Sequence, residues 1–341
     1  MKKRTAGIYA RYNTSEQTFC AEYLAAYIVN CYRFAKWFVP VAPNRQSRYY
    51  GFSHQWDSTV IQWDAASAEM QPILNECDTF FFFEPNDEIF ERLKKTTTAC
   101  VFDPRNQRQD YWRFAAKCDW LLLPNQYWLD EYSIVQKFPG SQVAVWPYDP
   151  YNQCIPKAKT DFELNPRVFF PAFGFPSNDR QFVEEIAAIL KIAVPNVQTV
   201  IGFYDATSQS RPGYDAGVDD WRLLKYLQNS DWLVDLTTKP TYNLFAAFAG
   251  GYGLQWSGFD IPPNADYYNS ARRHLIQVDC ENMTAHRLTP DLESTAEQLV
   301  RQFNRRFHDV FDREAGSGTW EQRRAEFLRV TNAVLGIKSR Y

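Results

Sequence analysis

The sequence is poor in the residues on which many small-molecule and metal chemistries depend. Only four histidines (His54, His274, His286, His308) occur in 341 residues, far apart, and none belongs to an H-E-x-x-H. With no G-x-S-x-G elbow either, a zinc peptidase and a serine hydrolase are both disfavoured. The 14 glycines form neither G-x-G-x-x-G nor G-x-x-x-x-G-K-[ST], so dinucleotide oxidoreductases and P-loop kinases would lack their phosphate cradle. There is no D-x-D triplet, the pattern expected where carboxylates hold a divalent ion against a nucleotide diphosphate. Any nucleotide chemistry is therefore expected to need neither a metal nor a resident cofactor.

Seven cysteines (Cys20, Cys31, Cys77, Cys100, Cys118, Cys154, Cys280) are scattered and never spaced as C-x-x-C. That argues against a zinc ribbon or a disulfide framework and for buried thiols in a reducing cytoplasm. The basic start Met1-Lys2-Lys3-Arg4 has no apolar run behind it, unlike a signal peptide. The longest apolar stretch, Leu244 to Trp256, has 13 residues and three glycines, short of the ~20 that span a bilayer. The expectation is a cytoplasmic protein without a transmembrane segment. A net charge of -3 disfavours general coating of nucleic acid while leaving room for local basic faces.

Aromatic residues, by contrast, are abundant: 26 Phe, 20 Tyr and 11 Trp make 17% of the chain, beside 23% charged residues. The composition is that of a packed globular protein, and the length suits two domains. Short apolar runs alternate with helical patterns: Gly7 to Ala10, Thr18 to Phe34, Trp37 to Val41, Asp78 to Phe83, Ala99 to Phe102, Gln109 to Lys117, Trp120 to Leu123, Tyr127 to Lys137 and Gln142 to Val145. That alternation predicts parallel strands joined by helices. Three prolines (Pro150, Pro156, Pro166) mark an aperiodic linker from Tyr148. The pattern then restarts at Val168 to Phe170, with a helix over 180–192, strands at Thr199 to Gly202, Trp232 to Leu236, Gly253 to Trp256 and His274 to Val278, and helices over 291–312 and 319–335. The expected domains are residues 1–150, 151–318 and a terminal helix, 319–341, crossing back to the first.

The segment Asn229-Ser230-Asp231-Trp232-Leu233-Val234-Asp235-Leu236, with the later Leu244-Phe245-Ala246-Ala247-Phe248-Ala249-Gly250-Gly251, resembles the donor-binding signature of GT-B glycosyltransferases of the large retaining family four. In that family an acid-led strand precedes Glu-x7-Glu and a small-residue helix ending in Gly. Asp119 to Asn125 and Val143 to Asp149 resemble its last N-domain strands, and Gly318-Thr319-Trp320 its entry into the terminal helix. The resemblance implies an α/β fold of two Rossmann-like domains facing a central cleft, and sugar transfer from a nucleotide-diphosphate sugar. The sequence departs from the family at both carboxylates: Thr238 stands where the first Glu contacts the donor sugar, and Ala246 where the second holds the ribose.

Within this scheme Thr238, Lys239, Thr241, Tyr242 and Asn243 are expected to meet the donor diphosphate before a helix N-terminus, where the dipole favours an anion. A plain polar loop is the alternative. Arg180, after the first strand of the second domain, matches the position of a cation against the diphosphate; a solvated helix residue is its alternative. Glu16, after the first strand, is the candidate general base, although Thr14 or Ser15 followed by acid and amide residues is also how helices are capped.

Charge in the first domain is segregated: residues 1–50 carry eight Lys/Arg against two acids, and 51–91 none against nine. Arg11, Arg45, Arg48, His54, Trp56 and Asp57 are the acceptor candidates, and Tyr49, Tyr50, Tyr111 and Trp112 are further rings for stacking. Basic and aromatic residues interleaved in this way suit phosphates and an extruded base, so DNA bearing a hydroxymethylated pyrimidine is one expected acceptor. A saccharide, lipid-linked or small-molecule acceptor is the alternative, and a non-catalytic nucleotide-sugar-binding module is the reading from another class.

Overall fold

The computed structural model describes residues 5–10, 34–40, 59–102, 109–124, 126–131, 140–147, 166–172, 177–203, 226–238, 254–261, 273–278, 287–306 and 317–337, with isolated positions between them. The chain divides into two compact units. One gathers Met1–Tyr148 with Thr207–Asp219 and Arg323–Tyr341, the other Asp149–Ala206 with Asp220–Gln322.

The first unit is laid out along the chain as β1 (Thr5–Tyr9), β2 (Phe34–Val39), β3 (Thr59–Gln62), α1 (Met70–Asn75), β4 (Cys77–Phe82), α2 (Asp87–Arg92), β5 (Thr97–Val101), α3 (Gln109–Ala115), β6 (Trp120–Leu123), α4 (Gln126–Glu131) and β7 (Gln142–Val145). Its seven strands are ordered β3-β2-β1-β4-β5-β6-β7, all parallel. This is the Rossmann order with one strand added. Strands buried on both faces need continuous apolar runs, and Phe80, Phe81 and Phe82 supply one. Phe82 touches the rings of Phe80, Phe90 and Phe114.

The second unit runs β8 (Arg167–Ala172), α5 (Ser177–Ala193), β9 (Gln198–Phe203), β10 (Trp232–Asp235), β11 (Gln255–Phe259), β12 (Arg273–Ile276), a hairpin of β13 (Met283–Thr284) and β14 (Arg287–Leu288), and α6 (Leu292–Arg306). Its five strands are ordered β12-β11-β10-β8-β9, again all parallel. Val183, Ile186, Ala187 and Leu190 recur at helical spacing on α5 and, with Val194 just past its end, are buried with Val168, Phe170, Trp232 and Val234. The last helix, α7 (Ser317–Val334), places Phe327 on the ring of Trp146, and Thr331 Oγ1 accepts the Trp146 indole N–H at 2.8 Å.

Some boundaries differ from the sequence reading for local reasons. Strand β11 begins at Gln255 rather than Gly253, because Leu254 N–H is spent on Ala249 O. Helix α3 ends at Ala115, since Lys117 and Cys118 bond back three residues in a tightened final turn. Strand β3, helices α1 and α2 and the hairpin were not anticipated; all are only two to six residues long, too short to show a period. Of the thiols, Cys20, Cys77, Cys100 and Cys118 are buried, and burial pushes Cys77 up to about 12.

Candidate functional site

In open parallel sheets ligands sit beyond the carboxyl ends of the strands, where the strand order reverses. In the second unit β8 leads to β9 on one side, while β10, β11 and β12 follow on the other, so the reversal lies between β8 and β10.

The polar residues gathered there come from three elements. Asp235 is the last residue of β10, following three buried apolar ones. It is 3% exposed, and its Oδ1 accepts from Thr237 N at 3.1 Å and Thr237 Oγ1 at 2.5 Å, an Asx-type turn that fixes the start of the next loop. Thr238, also buried, donates its hydroxyl to Asp179 Oδ2 at 3.4 Å and accepts Leu288 N–H from β14 on its carbonyl at 2.9 Å. Asp179 and Arg180 lie at the start of the 17-residue helix α5, both half-buried. Burial raises the Asp235 carboxyl to about 6, against the lowering effect of the two Thr237 bonds.

Thr238 and Arg180, taken from the sequence as donor residues, thus both stand at this sheet end. Lys239, Thr241, Tyr242 and Asn243 lie outside the described residues, as do Glu16, Arg11, Arg45, Arg48, His54, Trp56, Asp57, Tyr49 and Tyr50. Tyr111 must be corrected from a stacking ring to a core residue. It is 1% exposed, its hydroxyl donates to Val101 O at 3.0 Å, and its ring packs against Phe102. Trp112, half-buried, packs on Phe102 and Phe138.

Asp235 is not among the residues to which the sequence points, although it lies within the strand motif. The available signal was an acid closing a buried apolar strand directly before Thr237-Thr238. The acids that open the two motif strands do other work. Asp119 Oδ2 accepts Thr98 N–H at 2.8 Å, and Asp231 Oδ2 accepts Arg167 N–H at 2.9 Å. Both tie neighbouring strands together at their amino ends, opposite the carboxyl ends of the strands. Among the described residues no three of His, Cys, Asp and Glu gather as metal ligands do, and no helix is long and apolar enough to cross a membrane.

No protein family and no curated protein matches the sequence. Solved structures do match by shape. A glycosyltransferase from Rickettsia africae superposes with a TM-score of 0.64 at 9% identity, over 98% of this chain and 99% of its own. Sucrose-phosphate synthase from Thermosynechococcus elongatus gives 0.55 at 11% identity, over 98% of both chains. An α-glucosyltransferase in complex with UDP and a 13-mer DNA containing a HMU base gives 0.53 at 9% identity, over 97% of this chain and 95% of that one. The fold is thereby the α/β fold of two parallel sheets with helices found in GT-B glycosyltransferases.

Proposed function

We propose that the protein is a glycosyltransferase that moves a sugar from a nucleotide-diphosphate sugar to an acceptor hydroxyl. The observation carrying this reading is the polar cluster of Asp179, Arg180, Asp235, Thr237 and Thr238 where the second sheet reverses, on a fold shared with glycosyltransferases. Fold alone does not assign a reaction; the site has to.

In this reading the N-terminus of α5 and the Arg180 guanidinium hold the diphosphate, with Lys239 as a second cation and Thr241, Tyr242 and Asn243 as further donors. The bond between the sugar carbon and the diphosphate oxygen breaks, and its electron pair leaves with the diphosphate. A bond forms from the acceptor oxygen to that carbon, and Glu16 takes the acceptor proton. Since Arg180 and Lys239 supply the positive charge, transfer is expected to persist in EDTA.

The acceptor we favour is DNA carrying a hydroxymethylated pyrimidine, held by Arg11, Arg45, Arg48, His54, Trp56 and Asp57. It is supported by the segregated charge of residues 1–91 and by the likeness to a glucosyltransferase solved with modified DNA. The test is transfer of labelled sugar from a panel of nucleotide sugars to modified DNA, plain DNA and simple saccharides, together with calorimetry of Arg180→Ala and Lys239→Ala. Each variant should weaken diphosphate binding ~10-fold or more, since hydrogen bonds to charged groups contribute ~1.5–3 kcal/mol. Transfer to saccharides alone would overturn the DNA acceptor and keep the glycosyltransferase. Unchanged binding by both variants would remove these cations from the site.

A further inference from the structure

Among the described residues, only one oxygen of the Asp235 carboxylate is engaged. Both of its hydrogen bonds fall on Oδ1, and among the described residues no donor reaches Oδ2. A carboxylate that is 3% exposed is costly to leave under-bonded, because desolvation penalises the charged form. The residue also stands at the last position of the strand beside the reversal, the place in such a sheet where a ligand's polar groups arrive. A neutral Asn would serve Thr237 equally well through its amide oxygen, so the Thr237 turn does not account for a charge here.

We propose that Asp235 is a ligand-binding residue: with Oδ1 engaged by Thr237, its Oδ2 accepts a hydroxyl of the bound nucleotide sugar, from the ribose or from the transferred sugar. This rests on the donor-binding reading given above. It assigns to β10 a role in recognising polyhydroxylated ligands, distinct from the anion-binding role of α5 and Arg180.

Two consequences follow from the physics. The ionised form is the acceptor, so binding favours deprotonation and is strongest above the pH at which the free carboxyl titrates, near 6. A charge-assisted bond in a desolvated site also discriminates strongly against a partner that cannot donate. Charged groups on the surrounding elements include Asp179 and Arg180 on α5, Arg167 at the amino end of β8, Asp231 before β10 and Asp260 beyond β11. Burial is nonetheless the main cause of the shift, opposed by Thr237.

The experiment is titration calorimetry of the full chain with UDP, GDP, ADP and their glucose conjugates, from about pH 5 to about pH 8, in buffers of differing ionisation enthalpy. The wild type should bind more tightly as pH rises through about 6 and release a proton on binding there. Asp235→Asn should bind ~10-fold or more weakly at the upper end and, with the glucose conjugates, which lack a terminal phosphate titrating near pH 6, lose both the pH step and the proton release. A loss already present with the diphosphate alone assigns the ribose hydroxyl, and a loss confined to the conjugates assigns the sugar hydroxyl. Equal affinity of variant and wild type, or a flat wild-type pH profile, overturns the inference and leaves donor binding standing. Absence of binding to both proteins overturns donor binding and this inference with it.

Discussion

Where strand order reverses in the first sheet, between β1 and β4, the described residues up to Phe83 are mostly apolar and their backbone is tied off. Phe83 N–H bonds to Tyr9 O at 2.9 Å, and Ala10 N–H to Phe38 O at 3.2 Å. Trp37 donates its indole N–H to Ala10 O at 3.0 Å, and Phe83 meets the Trp146 ring. The first acid beyond β4, Glu84, is half-buried. The corresponding point of the second sheet instead ends in a buried carboxylate, two buried or half-buried threonines and the Asp179-Arg180 start of a long helix. Among the described residues the two reversal points thus differ, with ring packing around Tyr9 and Phe83 in the first sheet and polar groups around Asp235 in the second. Buried polar groups that cost stability are retained where a ligand uses them.

The sharpest way to break this contrast is to attack each end with its own mutation. Phe82→Ala should cost about 3–5 kcal/mol in denaturant unfolding, through the cavity left among Phe80, Phe90 and Phe114. Nucleotide affinity of the folded protein should be unchanged.

Asp235→Asn should do the reverse, raising stability while lowering affinity. A carboxyl whose folded pKa is about 6, against an ordinary 3.8, binds protons more tightly folded than unfolded. The stability this contributes is complete below the unfolded pKa and is lost as pH rises through the folded one. Thermal melts should therefore show the variant about 3 kcal/mol more stable than wild type near pH 8 and equal to it near pH 3.5. A variant less stable at both would make the carboxylate a structural residue.

A smaller effect is expected from Gly7→Ala. A Cβ at Gly7 would stand 2.3 Å from the Phe80 ring, and overpacking of that kind costs about 1–3 kcal/mol. The smallest effects belong to the surface pairs Lys117–Asp87 at 2.6 Å in the first unit and Arg301–Glu297 in the second. Removing either by Lys117→Ala or Arg301→Ala should change stability by under ~1 kcal/mol. A larger loss from either would show that surface charge also separates the two units.

How much of this was legible in the sequence depended on length and period. The long amphipathic run of α5 and the apolar strands Trp120-Leu121-Leu122-Leu123 and Trp232-Leu233-Val234 declare themselves, because burial on both faces or on one stripe leaves a compositional record. Four-residue β3 and the two-residue hairpin strands leave none. The placement of Arg180 and Thr238 after β8 and β10 was legible from the alternation, while their role in donor binding came from the family resemblance and belongs to the proposal. Asp235 was hidden inside the motif, since its meaning depends on strand order, and order is set by pairing between distant segments. Tyr111 failed for the opposite reason: a ring between Asp110 and Arg113 has the composition of a binding surface, yet helix geometry turns it inward.

The central claim is that a nucleotide-diphosphate sugar binds at the carboxyl end of the second sheet, and amide hydrogen exchange read by mass spectrometry tests it directly. With a panel of nucleotide sugars added, at least one should slow exchange in the peptides that follow β8 and β10, covering 173–182 and 235–243, and Arg180→Ala should abolish that protection. If no member of the panel alters exchange there, or if protection falls only on peptides of the first sheet, the claim is contradicted.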